Sequence, residues 1–238
     1  MPTIPIAPTD RLFVLTGAGI SAESGLPTFR AEDGLWAGNR IEDVCTPEAW
    51  DRNPGGVWDF YSLRREQAEK AEPNPAHFAL AELEAKLGDR FFLCTQNVDD
   101  LHERAGSHRL LHMHGELFKS RCENDCGEPP VEDHRLYEDL DYVGRCTCGA
   151  MFRPHIVFFG EIPLEMDRIQ AEIQRCTVML VVGTSGSVYP AANFVHWART
   201  HQARTIYVGP EPPLNASAFT QVVEGKAGVA LPGLFVCE

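Results

Sequence analysis

Two short stretches carry side chains whose type and spacing suit work on a ligand. In "LLHMHGEL", His112 and His114 lie two residues apart, and an imidazole titrates close enough to neutral pH to take up and return a proton. In "DFYSLRREQ", Tyr61 and Arg64 are three residues apart, a spacing that places a phenol and a guanidinium on one helix face, where both can converge on one ligand. Arg65 has Glu69 at i+4 but Arg64 has Ala68, so the Arg64 guanidinium is expected to lack a local helical partner. Three loops add groups for a nucleotide. "GAGISAESGLPTFR" sets Gly17, Gly19 and Ala22 in a G-x-G-x-x-G/A pattern, whose small residues let backbone N–H groups approach a pyrophosphate. "TQNVDDLHERAG" offers Gln96, Asn97 and Asp99 to a ribose and a carboxamide, and "GTSGSVYPA" offers backbone donors and hydroxyls. Taken singly, each is as readily structural, since Asn and Asp close turns and an isolated histidine more often completes a hydrogen bond than catalyses.

The eight cysteines divide by spacing. Cys45, Cys94, Cys176 and Cys237 stand alone and read as small packing residues. Cys122, Cys126, Cys146 and Cys148, in "RCENDCGEPP" and "GRCTCGAMF", form two close pairs across a polar stretch that cannot build its own core. Thiolate ligation of one structural zinc would supply the missing stability, because metal-binding free energy becomes folding free energy in a small module. The pairs are spaced C-x-x-x-C and C-x-C rather than C-x-x-C, which leaves the ligand set open, with Cys122 and Cys146 the firmest members.

Elements must position these groups. "RLFVLT", "RFFLCT", "HIVFF", "TVMLVVG" and "ARTIYV" are short β-branched or aromatic runs that predict buried strands. "PNPAHFALAELEAKLG" predicts a helix with Asn74 as N-cap, Pro75 at its first position, apolar residues at Phe78, Leu80, Leu83 and Leu87, and Gly88 as its stop. "PLEMDRIQAEIQRC" and "YPAANFVHWARTHQ" predict two more. Strands alternating with helices make an α/β fold, a Rossmann-like, doubly wound parallel sheet covered on both faces. Residues 1–36, 74–118 and 152–238 are expected to form this Rossmann-like domain. The helical insertion 37–73 and the zinc-binding insertion 119–151 would form a smaller lobe. Ligands of such sheets bind beyond the carboxyl ends of the strands, where the three loops fall. Hydride transfer is disfavoured, because no second strand ending in an acid follows the glycines at the usual distance of about 20 residues, and "TFRAEDGLWAGNR" reads as a mobile loop.

Composition narrows the partners. A formal net charge of −13 repels polyphosphate, so nucleic acid is not expected as a ligand, whereas a lysine-bearing protein segment can approach. No apolar run is long enough to span a membrane and no leader is evident in "MPTIPIAPTD", so a cytoplasmic protein is expected; a monomer is expected as well.

"GAGISAESGLPTFR", "TQNVD", "HMHGEL", "VFFGE" and "GTSGSVYPA", in this order and with four intervening cysteines, resemble the sirtuins, NAD-dependent protein-lysine deacylases, from about Leu12 to Ala227. The resemblance implies an NAD loop containing Gly17, Ala18, Gly19, Ala22, Glu23, Thr28, Phe29, Arg30 and Trp36. It implies a ribose and nicotinamide pocket at Gln96, Asn97 and Asp99, and an adenosine side at Gly183, Thr184 and Ser185. His114 would be the catalytic base and His112 a packing residue. In the reaction implied, the acyl oxygen attacks the anomeric carbon and expels nicotinamide, and the base then frees a ribose hydroxyl to attack the imidate, giving lysine and acylated ADP-ribose. Phe159, Gly160 and Glu161 resemble the segment that pairs with an extended acyl-lysine peptide.

Tyr61 and Arg64 match the Tyr-x-x-Arg pair of the sirtuin class that favours succinyl and malonyl groups, where a guanidinium fork and a phenol hold the terminal carboxylate and acetyl is also removed. Beside the short cysteine spacing, one departure stands out. Gly209 replaces an asparagine of an Asn-x-Glu turn that keeps Glu211, so weaker NAD binding is expected, and Ala227 is placed near the adenine. Two other readings stay open: protein ADP-ribosyl transfer from the same NAD site, and a non-enzymatic zinc-ribbon and nucleotide-sensing module.

Overall fold

Five-residue runs with every side chain buried can only be central strands of a sheet covered on both faces, and three such runs form the middle of this protein. The computed structural model describes residues 3–30, 35–36 and 38–237, with the side chains of Phe29, Arg30 and Leu35 outside that description. In chain order, β1 (Ile4–Ile6) and β2 (Leu12–Thr16) precede the two-residue strands β3 (Phe29–Arg30), β4 (Leu35–Trp36) and β5 (Asn39–Arg40). Next come α1 (Ile41–Val44), α2 (Pro47–Arg52), α3 (Pro54–Lys70), α4 (Pro75–Leu87), β6 (Phe91–Thr95), α5 (Leu101–Arg104) and β7 (Leu110–His112). Then follow β8 (Gly115–Cys122), β9 (Val131–Glu132), β10 (Phe152–Ile156), α6 (Met166–Arg175) and β11 (Val178–Val182). The last are α7 (Phe194–Thr200), β12 (Arg204–Gly209), β13 (Gln221–Glu224), α8 (Ala227–Ala230) and β14 (Phe235–Cys237).

The main sheet has the order β13-β12-β11-β2-β6-β7, and every pairing in it is parallel. One face is closed by α4 and α8 through Leu80, Leu83, Leu87 and Ala230, the other by α6 and α7 through Ile169, Ile173, Phe194 and Ala198. The order reverses between β2 and β11, so the loops leaving these neighbours diverge and open a crevice at their carboxyl ends. Asn74 caps α4 by accepting from the Ala76 N–H, and Gly88 follows its last turn, as expected. Phe78 differs: it is 46% exposed, because its position on α4 turns it away from the sheet.

A second, antiparallel sheet of order β10-β8-β9 packs against α3. Here "HIVFF" departs from expectation. Its first two residues end β10 in this antiparallel sheet, and Val157 to Phe159 leave it to enter the cleft wall. α3 forms where Asn53 accepts from the Gly56 N–H and Pro54 opens the first turn. The helix buries Val57, Trp58 and Tyr61 in a core shared with Leu117, Tyr137 and Phe158. Part of the loop expected to be mobile, residues 31–34 and 37, lies outside the described residues; residues 29–30, 35–36 and 39–40 pair as β3, β4 and β5. Among the described residues no helix is long and apolar enough to cross a membrane.

Candidate active site

A cleft of about 970 Å³ opens at the crevice between β2 and β11 and extends to α3 and the segment after β10. Its volume lies within the range of about 300–1,000 Å³ usual for small-molecule sites. Gly17, Ala18, Gly19, Gly183, Thr184 and Ser185 line one end. Their glycines answer first to one another. The Gly19 N–H donates to the Gly183 carbonyl at 2.8 Å, and a Cβ on Gly19 would lie 2.7 Å from Gly183 Cα. Gly183 also has φ +62°, so here the glycine pattern lets two loops touch, in addition to leaving their edge open to a ligand.

Gln96, Asn97, Asp99 and His114 line the middle of the cleft. The Asn97 side-chain amide donates to Ser21 Oγ at 3.0 Å, and Ser21 Oγ donates to Asp99 Oδ2 at 3.1 Å. Burial raises the Asp99 carboxyl to about 6, with the Leu101 N–H and Ser21 hydroxyl pulling it back. Ser21, 2% exposed, is a site residue that sequence reasoning missed; its one signal was a place inside the glycine loop.

The turn between β7 and β8 presents the two histidines to successive carbonyls. His112 Nδ1 lies 2.8 Å from the Asn97 oxygen and His114 Nδ1 3.1 Å from the Gln96 oxygen. A carbonyl only accepts, so both Nδ1 atoms carry protons and His114 keeps a lone pair on Nε2. Burial lowers the His114 pKa, which favours that neutral form. The turn needs Gly115, whose φ is +87° and whose Cβ would stand 2.0 Å from the His155 oxygen.

At the α3 end, Trp36, Cys45, Arg64, Phe158, Phe159 and Gly160 line the cleft. Arg64 is 5% exposed, with its guanidinium carbon 5.9 Å from the Trp36 ring centre and 6.0 Å from that of Phe60. Two expectations are corrected here. Arg64 does have a helical partner, since Nη2 donates to Gln67 at i+3, and only Nη1 is buried without one. Tyr61 is fully buried outside the cleft wall, its hydroxyl donating to Cys45 Sγ at 3.2 Å, so the thiol lies where the phenol was expected. Burial pushes the Cys45 thiol up to about 11, which keeps it neutral. Arg65 ignores Glu69 and instead donates to the Leu117 and Arg135 oxygens, each at 2.8 Å, beside Asp133.

Other anticipated residues are distributed around this frame. Thr28 and Glu211 line the cleft. Ala22, Glu23, Gly209 and Ala227 stand beside it, Glu23 accepting at 2.8 Å from the Gly228 N–H at the start of α8. Phe29 and Arg30 pair through their backbones in β3, but their side chains lie outside the described residues. Glu161 lines the cleft with its carboxylate committed to Arg153 at 2.7 Å, Arg121 at 3.1 Å and the Phe158 N–H at 2.7 Å, so it shapes the loop.

Cys122, Cys126, Cys146 and Cys148 come together with all four Sγ atoms within 4.8 Å of one another. A tetrahedron of ~2.3 Å zinc–sulfur bonds separates its sulfurs by about 3.8 Å, and the pairs at 3.3 and 3.5 Å fit that cage. Four thiolates fill the coordination sphere, so this is a structural zinc site.

The Sir2 family's sequence model matches residues 17–190. An NAD-dependent protein deacylase of Salmonella typhimurium is 50% identical over 224 residues, covering 93% of this chain and 81% of the relative. A solved Sir2 homolog in complex with NAD superposes with a TM-score of 0.84 at 41% identity, covering 94% of this chain and 87% of that one. Sir2Af2 bound to a myristoylated histone peptide gives a TM-score of 0.71 at 35% identity, covering 94% and 88%. The family model spans most of the chain and these relatives match nearly its whole length, so the chain belongs to the Sir2 family, the sirtuins.

Proposed function

We propose that this chain is an NAD-dependent protein-lysine deacylase that favours acyl groups ending in a carboxylate, succinyl and malonyl, and removes acetyl with lower efficiency. The observation that carries the acyl preference is Arg64 Nη1, a buried guanidinium nitrogen of a cleft-lining residue that has no partner among the described residues. A desolvated cation beside two aromatic faces is satisfied by a carboxylate far better than by a methyl group. NAD, when bound, supplies the electrophilic sugar carbon and the hydroxyls that receive the acyl group. Gln96, Asn97 and Asp99 are placed to orient the carboxamide and ribose, and His114 Nε2 to take the hydroxyl proton. Phe158, Phe159 and Gly160 form the wall along which an extended acyl-lysine peptide would run, and the low exposure of Asn97 and Asp99 keeps bulk water from the reacting atoms.

Incubation with NAD and a succinyl-lysine peptide, followed by mass spectrometry of the peptide, tests the reading. Loss of the succinyl mass and release of nicotinamide are expected. Gain of an ADP-ribose mass would replace this activity with transfer to protein, and an unchanged peptide with bound nucleotide would leave only a sensing role.

A further inference from the structure

Gly209 ends β12 beside the cleft without a positive φ, so conformational freedom does not explain the glycine. Its neighbour does. A Cβ at 209 would lie 2.3 Å from the Tyr207 hydroxyl oxygen and 2.7 Å from Cζ, because residues two apart on a strand share a face. The phenol stands in the space that a larger side chain would take. Its ring packs on Phe219 at 5.4 Å between centres, and its hydroxyl donates to the Thr184 oxygen at 3.3 Å. Tyr207 is only 3% exposed, yet it lines the cleft with Thr184 and Glu211. With its proton given to Thr184, the hydroxyl keeps its lone pairs as acceptors. Burial, and then the Glu211 carboxylate, raise the Tyr207 pKa, so the group stays neutral. The carboxylate is a second acceptor on the same wall. Two adjacent acceptors complement two adjacent hydroxyl donors.

We infer that Tyr207 is a ribose-binding residue, accepting with Glu211 from the vicinal diol of the adenosine ribose of NAD, and that Gly209 is small to admit the phenol. The inference rests on the reading that the Gly17–Gly183 end of the cleft takes the adenosine half. It also changes the meaning of Gly209, which ceases to be a lost contact and becomes half of an exchange.

Calorimetric titration of the zinc-loaded full chain with AMP, 2′-deoxy-AMP, 3′-deoxy-AMP and nicotinamide mononucleotide tests it, using wild type and Tyr207→Phe with thermal unfolding as the folding control. Tyr207→Phe is expected to raise the Kd for AMP about two- to tenfold, the worth of one neutral hydrogen bond. It should leave nicotinamide mononucleotide unaffected and make no difference for the deoxy analogue that lacks the contacted hydroxyl. An unchanged AMP affinity, or a loss that persists for both deoxy analogues, overturns the assignment and leaves the phenol a packing residue. A loss for nicotinamide mononucleotide alone overturns the orientation on which the inference stands. For the glycine, Gly209→Ala is expected to lower Tm in wild type but much less in a Tyr207→Leu background; equal losses would show that the phenol is not what requires glycine.

Discussion

Replacing Arg64 by Met tests the acyl preference at its source. The guanidinium offers a ligand less than a full fork, because Nη2 is held by Gln67 and Nη1 is the nitrogen without a partner among the described residues. One charge-assisted hydrogen bond is worth about 1.5–3 kcal/mol, so Arg64→Met should lower kcat/KM for a succinyl-lysine peptide roughly ten- to hundredfold. The same peptide carrying acetyl-lysine should change less than about threefold, since no bond to Nη1 is lost and burial already disfavours the charge there. Steady-state kinetics at saturating NAD with succinyl, malonyl and acetyl peptides of one sequence gives the comparison. Arg64→Lys should fall between, keeping charge without the planar fork. Tyr61→Phe sharpens the test: the phenol faces Cys45, so desuccinylation should fall by less than about threefold. Equal losses of desuccinylation and deacetylation in Arg64→Met would refute the reasoning. A Tyr61→Phe loss as large as that of Arg64→Met would show that the hydroxyl leaves Cys45 for the ligand.

His114→Tyr should reduce deacylation at least a hundredfold, within the usual ~10²–10⁴ of general base catalysis, while bound zinc is retained. With the neutral His114 ring as the proposed base and burial depressing its pKa, the acid limb of kcat/KM should have its midpoint below 6.5, and a midpoint above 6.5 would point to another group. Stability should fall as pH drops from 6.5 toward 4. Burial holds His77 and His155 at about 4 and His102 well below the usual value, so the unfolded chain binds more protons in that window. Asp99, raised to about 6, and His112, also raised, oppose this trend, and a higher urea midpoint at pH 4.5 than at pH 7 would show that they dominate. Glu161→Gln should destabilise the fold by about 3 kcal/mol, because it leaves Arg121 and Arg153 facing each other without their shared carboxylate. It should also raise KM for peptide by loosening Phe158, and an unchanged denaturation midpoint would contradict the role given to the carboxylate.

What could be read from the sequence was whatever local physics decides. The α4 helix announces itself because Asn74, Pro75 and Gly88 satisfy or end its backbone whatever packs against it. The central strands do so because runs buried on both faces are apolar throughout. β7 and β13 escaped notice: one has three residues, and the other alternates between half-buried and exposed at the edge of the sheet. The hardest residues to foresee were those fixed by partners remote in sequence. Tyr61 and Arg64 do share a helix, but Cys45, 16 residues upstream, claims the phenol. Arg65 finds its acceptors 52 and 70 residues away, so an i+4 glutamate said nothing about its fate.

The two histidines of "HMHG" show how similar neighbours acquire opposite tasks. Both rings hang from one turn and donate Nδ1–H to adjacent carbonyls, so neither tautomer nor backbone support distinguishes them. The second nitrogen does. His112 Nε2 meets the Glu103 carboxylate at 2.7 Å, so both of its ring nitrogens face oxygens; burial lowers its pKa, but Glu103, Asn97 and Glu116 outweigh it and raise the value. With both nitrogens engaged, that ring braces the Asn97 loop and offers no free nitrogen to the cleft. His114 has one acceptor and a buried setting, so it stays neutral with Nε2 available at the cleft. Under the proposed mechanism, which histidine serves as base is decided by a glutamate nine residues before His112 in the chain, through a contact between α5 and β7.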